Sequence, residues 1–141
     1  MTVIDLRAVD ASHSPDWTSA CPVDRLVPGR GAAVLLRGGR QAALFRLSDG
    51  ASEATGSRQG MLYAVGNIDP FGRAAVMSRG LVGDRGGEPT VASPLLKQVF
   101  SLLDGRCLDD DSVALPVYDV RVRNGMVEVG SHTREMSAKA S

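Results

Sequence analysis

Hydrophobic positions along this chain come in short runs broken by glycine and proline. Residues 31–36 are almost wholly apolar, Arg37-Gly38-Gly39-Arg40 follows, and a second apolar run covers 41–47. Paired glycines between two such runs supply the positive-φ positions of a tight hairpin turn. Residues 61–65 form another short apolar segment, ending at Gly66. Further on, Val117, Asp119, Arg121 and Arg123 alternate with Tyr118, Val120 and Val122, the period of a strand. Asn124-Gly125 then makes a strong hairpin dipeptide, and residues 126–129 return. Pro116 is tolerated because it stands where that strand begins. With 16 glycines and 7 prolines punctuating such short runs, the pattern predicts an all-β domain, a small antiparallel sandwich or barrel.

One segment reads otherwise. Residues 93–105 start with Ser93 and Pro94 and stop at Gly105, the order of a helix cap, a first helical residue and a helix stop. Leu95, Leu96, Val99, Phe100, Leu102 and Leu103 fall at helical spacing. Three stretches carry no periodicity at all. Residues 8–15, 49–60 and 131–141 are small and polar. The expected organisation is a flexible tail over 1–15, one domain over 16–130 with a mobile loop at 51–60, and a second flexible tail over 131–141.

Composition narrows the function classes. At 141 residues and 43% hydrophobic content the chain is one domain with its own core. Folding at this size buries roughly two-thirds of the unfolded surface, so no disulfide or metal staple is required. No apolar stretch approaches a membrane span. The start of the chain lacks a basic segment followed by an apolar one, so the cytoplasm is the expected compartment. Sixteen cations balance sixteen acids, which leaves no net field to attract nucleic acid or an anionic bilayer.

Candidate chemistry is sparse. Cys21 and Cys107 have no histidine or lysine beside them in sequence and read as small buried hydrophobes rather than nucleophiles. His13 and His132 lie in polar, tail-like sequence, so no Cys/His zinc set forms. Gly83-Asp84-Arg85-Gly86-Gly87 has neither dinucleotide nor P-loop spacing and reads as a connection between strands. Asp109-Asp110-Asp111 lacks calcium-loop spacing and reads as a solvated acidic loop. One Trp, two Tyr and three Phe make no stacking platform for single-stranded nucleic acid. No nucleophile–base pair clusters, so a hydrolase or metal-dependent enzyme in its own right is disfavoured.

The polar cluster Asn67-Ile68-Asp69-Pro70-Phe71-Gly72 gains meaning from its distance to Ser93-Pro94-Leu95-Leu96. In this order the two segments resemble the Rieske iron–sulfur domain, whose ligands come as Cys-x-His and Cys-x-x-His. Asn67 and Asp69 stand at the first pair of ligand positions, Ser93 and Leu96 at the second. Phe100, Asp104-Gly105, Leu115-Pro116-Val117 and the hairpin at Asn124-Gly125 keep the downstream pattern. A Rieske centre needs two thiolates and two imidazoles. These four residues offer neither, so the resemblance implies the fold with no cofactor in this chain, no metal and no catalytic residue. It also implies a loop over 93–97 followed by a strand over 99–102, against the helical spacing.

The wording is closer still to one branch. Val65-Gly66-Asn67-Ile68-Asp69-Pro70-Phe71, Met77-Ser78-Arg79-Gly80-Leu81 and Ser93-Pro94-Leu95-Leu96-Lys97-Gln98 resemble the small subunits of assimilatory NADH-dependent nitrite reductases, the NirD type. That resemblance implies a large-subunit partner carrying FAD, sirohaem and a [4Fe–4S] cluster, reducing nitrite to ammonium. The alternative is a clusterless, ferredoxin-like interaction module of another oxidoreductase. It also marks Pro70, Phe71, Leu95, Leu96 and Lys97, at the vacated cluster tip, as candidates for a partner-binding surface. Inward packing of Phe71 and Leu96, filling the volume a cluster would occupy, is the competing expectation.

Overall fold

The computed structural model describes residues 17–47 and 61–133. Among them nine strands form: β1 (Trp17–Pro22), β2 (Gly31–Leu35), β3 (Gln41–Leu47), β4 (Met61–Gly66), β5 (Leu81–Arg85), β6 (Glu88–Ala92), β7 (Val99–Ser101), β8 (Val117–Arg123) and β9 (Met126–Thr133). Two short 3-10 turns, Val23–Arg25 and Met77–Arg79, complete the regular structure. Six strands make one sheet in the order β1-β9-β8-β4-β3-β2, and β5-β6-β7 make a second of three. Every strand pairing is antiparallel. The all-β architecture expected from the punctuated runs is therefore present.

The hairpins form where turn chemistry places them. Gly38 and Gly39 both have positive φ between β2 and β3, and Gly86 and Gly87 do the same between β5 and β6. Asn124 (φ 53°) and Gly125 (φ 79°) close the β8–β9 hairpin. Both residues of this turn sit in the left-handed region, where Asn and Gly are the least strained choices. The glycine-rich stretch at 83–87 is thus a hairpin, with the Gly87 N–H donating to Asp84 Oδ2 at 3.1 Å.

The large sheet is buried on both faces at its centre. Ala42 and Leu44 of β3, Ala64 of β4 and Tyr118 of β8 point into a core with Leu26, Val34, Leu36, Val127 and Val129. Their neighbours Ala43, Phe45, Val65 and Val117 point the other way, against Val91, Phe100, Leu102, Cys107 and Leu115 under the small sheet. Successive side chains of a strand alternate faces, so a strand serving two cores must be apolar at every position, which is why β3 and β4 read as continuous runs. The Arg37 N–H donates to Thr18 Oγ1 at 3.2 Å, linking the turn after β2 to β1 and curling the sheet towards closure. At β1, the Arg121 guanidinium lies 3.9 Å from the Trp17 ring centroid while its Nε donates to Glu128 at 2.6 Å.

Three expectations change or fall outside. The helical spacing over 93–105 does not give a helix: residues 93–98 form a turn and β7 follows, as the family resemblance implies. The C-terminal tail does not begin at residue 131, because β9 continues to Thr133 and pairs there with Tyr118 of β8. The tail over 1–15, the loop over 51–60 and residues 134–141 lie outside the described residues.

Phe45 is fully buried in the core beneath the small sheet. Phe45→Ala is expected to cost about 3–5 kcal/mol through lost transfer energy and the cavity left behind. Leu35→Ala, at a side chain 67% exposed, should stay within about 0.5 kcal/mol of the parent. Urea unfolding midpoints of the two variants check both values.

Candidate functional site

Two loops meet at one end of the large sheet, and both are built on the same plan. In the first, Asp69 Oδ1 accepts from the N–H groups of Phe71 (2.8 Å) and Gly72 (3.2 Å). The Arg73 N–H donates to the Asp69 carbonyl (2.6 Å), and the Asp69 N–H to the Ala74 carbonyl (2.9 Å). In the second, Ser93 Oγ accepts from the Leu95 N–H (3.2 Å). The Lys97 N–H donates to the Ser93 carbonyl (3.0 Å), and the Ser93 N–H to the Gln98 carbonyl (2.9 Å). Each loop starts on a residue whose side chain captures backbone N–H groups, as Asp and Ser do in turns. Proline follows in both, as Pro70 and Pro94. Each closes on a cationic residue in the left-handed region, Arg73 at φ 60° and Lys97 at φ 63°. That conformation costs a non-glycine residue about 1–2 kcal/mol.

The two turns are joined at their first residues. Ser93 Oγ donates to Asp69 Oδ2 at 2.5 Å, with Ser93 1% exposed and Asp69 fully buried. Burial pushes the Asp69 carboxyl up. The Ser93 hydroxyl and the N–H groups of Phe71 and Gly72 outweigh it and hold the group below its ordinary value. A second contact runs alongside, since a Cβ on Gly72 would meet Leu95 Cδ1 at 2.8 Å. Asn67 anchors the base. Its Nδ2 donates to Gln41 Oε1 (3.1 Å) and its Oδ1 accepts from the Ser78 N–H (2.7 Å), tying β4 to the start of β3 and to the 3-10 turn at Met77–Arg79.

The structure therefore separates the residues that sequence reasoning grouped together. Asn67, Asp69 and Ser93 are buried and hydrogen-bonded, whereas Leu96 is 53% exposed. Phe71 turns inward against the core, its ring centroid 6.3 Å from that of Phe100. Leu95 is 46% exposed, and Lys97 is exposed beside it in sequence. The inward-packing expectation thus describes Phe71 and not Leu96. Sequence reading missed the doubled turn. Its signal was present as an Asp or Ser, then Pro, then a hydrophobe, with a cation at the fifth position.

A [2Fe–2S] cluster of the Rieske type does not fit this donor set. Asp69 and Ser93 are committed to each other, Asn67 to β3 and the 3-10 turn, and Leu96 has no donor atom. Among the described residues no group of three His, Cys, Asp or Glu side chains converges as a metal site. The other candidates resolve as structure. Cys107 is buried in the core and Cys21 half-buried, both as free thiols. Burial pushes the Cys21 thiol up, against a smaller opposing pull from Arg25, so it is not an activated thiolate. Asp109 accepts from the Val99 N–H and lies 3.7 Å from Arg85, and Asp110 accepts from Ser112. At the opposite end of the sheet, a groove of about 660 Å³ lined by Leu47, Met61, Tyr63, Val82, Asp84 and Pro89 holds no cluster of titratable groups.

Comparison with known proteins identifies the family of this fold. A family model described as the Rieske-like [2Fe-2S] domain matches residues 16–130. The nitrite reductase (NADH) small subunit of Salmonella typhimurium is 41% identical over 113 residues, covering 80% of this chain and 95% of that protein. The crystal structure of a Mycobacterium tuberculosis chain named for the NADH-dependent nitrite reductase small subunit is 52% identical, with a TM-score of 0.73, covering 86% of this chain and 97% of that one. A nitrite reductase [NAD(P)H] large subunit of Klebsiella oxytoca is 41% identical over 131 residues, which are 93% of this chain and 12% of that protein.

Removing the hydroxyl that joins the turns tests their coupling. Ser93→Ala is expected to cost about 1–3 kcal/mol, because the buried Asp69 carboxylate loses a donor that water cannot replace. The pH dependence has a definite sign. The folded chain holds the Asp69 carboxyl below its ordinary value of 3.8, so its stabilisation is fully present above 3.8 and is lost as pH falls through the lower folded value. Asp69→Asn should abolish that part of the acid loss. Urea midpoints of parent and variant, measured from neutral pH down past the acid limb, are expected to converge only at its acid end.

Proposed function

The chain belongs to the Rieske-like [2Fe–2S] domain family, and from that premise we propose that it is the non-catalytic small subunit of an NADH-dependent nitrite reductase. The observation that carries this reading is the extent of the likeness. Small subunits of that enzyme match along nearly their whole length, not merely around one loop. The large-subunit relative adds a second line of support. In that protein a stretch matching 93% of this chain belongs to the same polypeptide as the large subunit.

In the proposed enzyme the large subunit carries FAD, a [4Fe–4S] cluster and sirohaem and converts nitrite to ammonium for nitrate assimilation. Six-electron reduction requires cofactors, and Asn67, Asp69, Ser93 and Leu96 supply no ligand set for one. The small subunit's part is then to bind and support its partner in the cytoplasm, without nucleic acid and without a membrane. Among the described residues no helix is long and apolar enough to cross one.

The purified chain is expected to be colourless and to reduce no nitrite with NADH on its own, gaining that activity only with the large subunit. Iron and acid-labile sulfide assays should give far less than one atom of each per chain. A content near two of each, the composition of a [2Fe–2S] centre, would overturn the reading of a chain without a cluster.

A further inference from the structure

We propose that the paired turns are the docking surface for the nitrite reductase large subunit, with Arg73 and Lys97 engaging acidic groups and Leu95 and Leu96 supplying the apolar contact. This deepens the small-subunit reading above and rests on it.

The argument begins with a third copy of the same turn. Ser101 Oγ accepts from the Leu103 N–H (3.1 Å) and donates to Glu88 Oε2 (2.5 Å). The Gly105 N–H donates to the Ser101 carbonyl, and the Ser101 N–H to the Arg106 carbonyl, both at 2.9 Å. The fifth position here is Gly105 at φ 81°. Glycine is the residue this conformation favours, and Gly105 also faces the Leu115 carbonyl, where a Cβ would clash. In the two turns at the apex the same backbone position holds Arg73 and Lys97. Among the described residues only one other non-glycine has positive φ, Asn124, in a hairpin turn that suits asparagine.

Both unfavourable choices are therefore cations, and both lie at the fifth position of the two turns that are hydrogen-bonded to each other. Neither makes an ion pair among the described residues. Strained residues held by surrounding structure concentrate where a chain recognises something. The turns and the strand end that leads into the second of them also carry exposed apolar side chains. Ile68, Leu95 and Leu96 are each about half exposed, and Leu81, 77% exposed, pairs with Ala92 immediately before Ser93. Exposed aliphatic side chains beside exposed cations fit a protein partner with an acidic rim. The large subunit is that partner, because in one large-subunit relative a copy of this domain already shares its polypeptide.

The test uses the full chain and the purified large subunit, with affinity read by biolayer interferometry. Arg73→Gly with Lys97→Gly restores the favoured residue at both turns, so the double variant should unfold at or above the parent's urea midpoint. It is expected to bind at least ten-fold more weakly, and Leu96→Asp, at a side chain 53% exposed, likewise. Arg123→Ser, in the hairpin at the opposite end of the sheet, should bind as the parent does. Raising salt from low to high ionic strength should weaken the parent complex several-fold and the double variant less. Parent-like affinity in both apex variants, or a parent complex indifferent to salt, would overturn the docking surface while leaving the subunit assignment intact. A parent chain that does not bind the large subunit at all would overturn the assignment, and this proposal with it.

Discussion

A carboxylate removed from water must have its lone pairs occupied, and the apex of this domain is built around meeting that demand at Asp69. One oxygen takes the N–H groups of Phe71 and Gly72, and the other takes the Ser93 hydroxyl. A single side chain thereby both shapes its own turn and fixes the second turn against it. A buried carboxylate left short of a donor is costly, so the two turns are energetically one unit. The positions of Leu95, Leu96, Arg73 and Lys97 at the surface follow from that unit.

The apex needs a rigid base, and the doubly buried sheet supplies it. β4 runs between two cores and delivers Asn67 at its end, where backbone and side chain bond to Gln41 and to the turn at Met77–Arg79. Ala64 and Val65 face opposite cores, so neither can shift without opening a cavity on its side. Both faces constrain the register Ala43↔Val65 and Leu44↔Ala64, because a slip by one residue would exchange the two cores.

Strands β2, β3, β4, β8 and β9 were legible because burial writes apolar runs and hairpins write Gly-Gly and Asn-Gly, whereas β1, β5 and β6, largely half-buried or exposed, carry no such run. The site was legible only as a set of missing ligands. The helical spacing over 93–105 has a physical origin in what the chain does there. Lys97 N–H to Ser93 carbonyl and Gly105 N–H to Ser101 carbonyl are both bonds of the helical i to i−4 kind. Ser, Pro and a left-handed closing residue are the same chemistry that starts and stops a helix. The pattern therefore marked two genuine helical turns, each ending after one turn, with β7 between them. Periodicity counts spacing and cannot see that Lys97 already sits in the left-handed region, because Lys gives no hint of it where Gly would. Which leucines face out was equally hidden, since Leu95 and Leu96 have the composition of core.

A metal cluster would tie four positions to one centre, whereas here only two of the four, Asp69 and Ser93, meet. The remaining hold comes from packing. The Phe71 ring tilts at 46° against Phe100, and Leu95 lies over Gly72, where no Cβ intervenes. The hold is thus divided between a polar link that responds to protonation of Asp69 and apolar contacts that do not. Metal–ligand bonds would have tied the shape of this end to redox state and to metal supply. Hydrogen bonds and packing leave it dependent on neither.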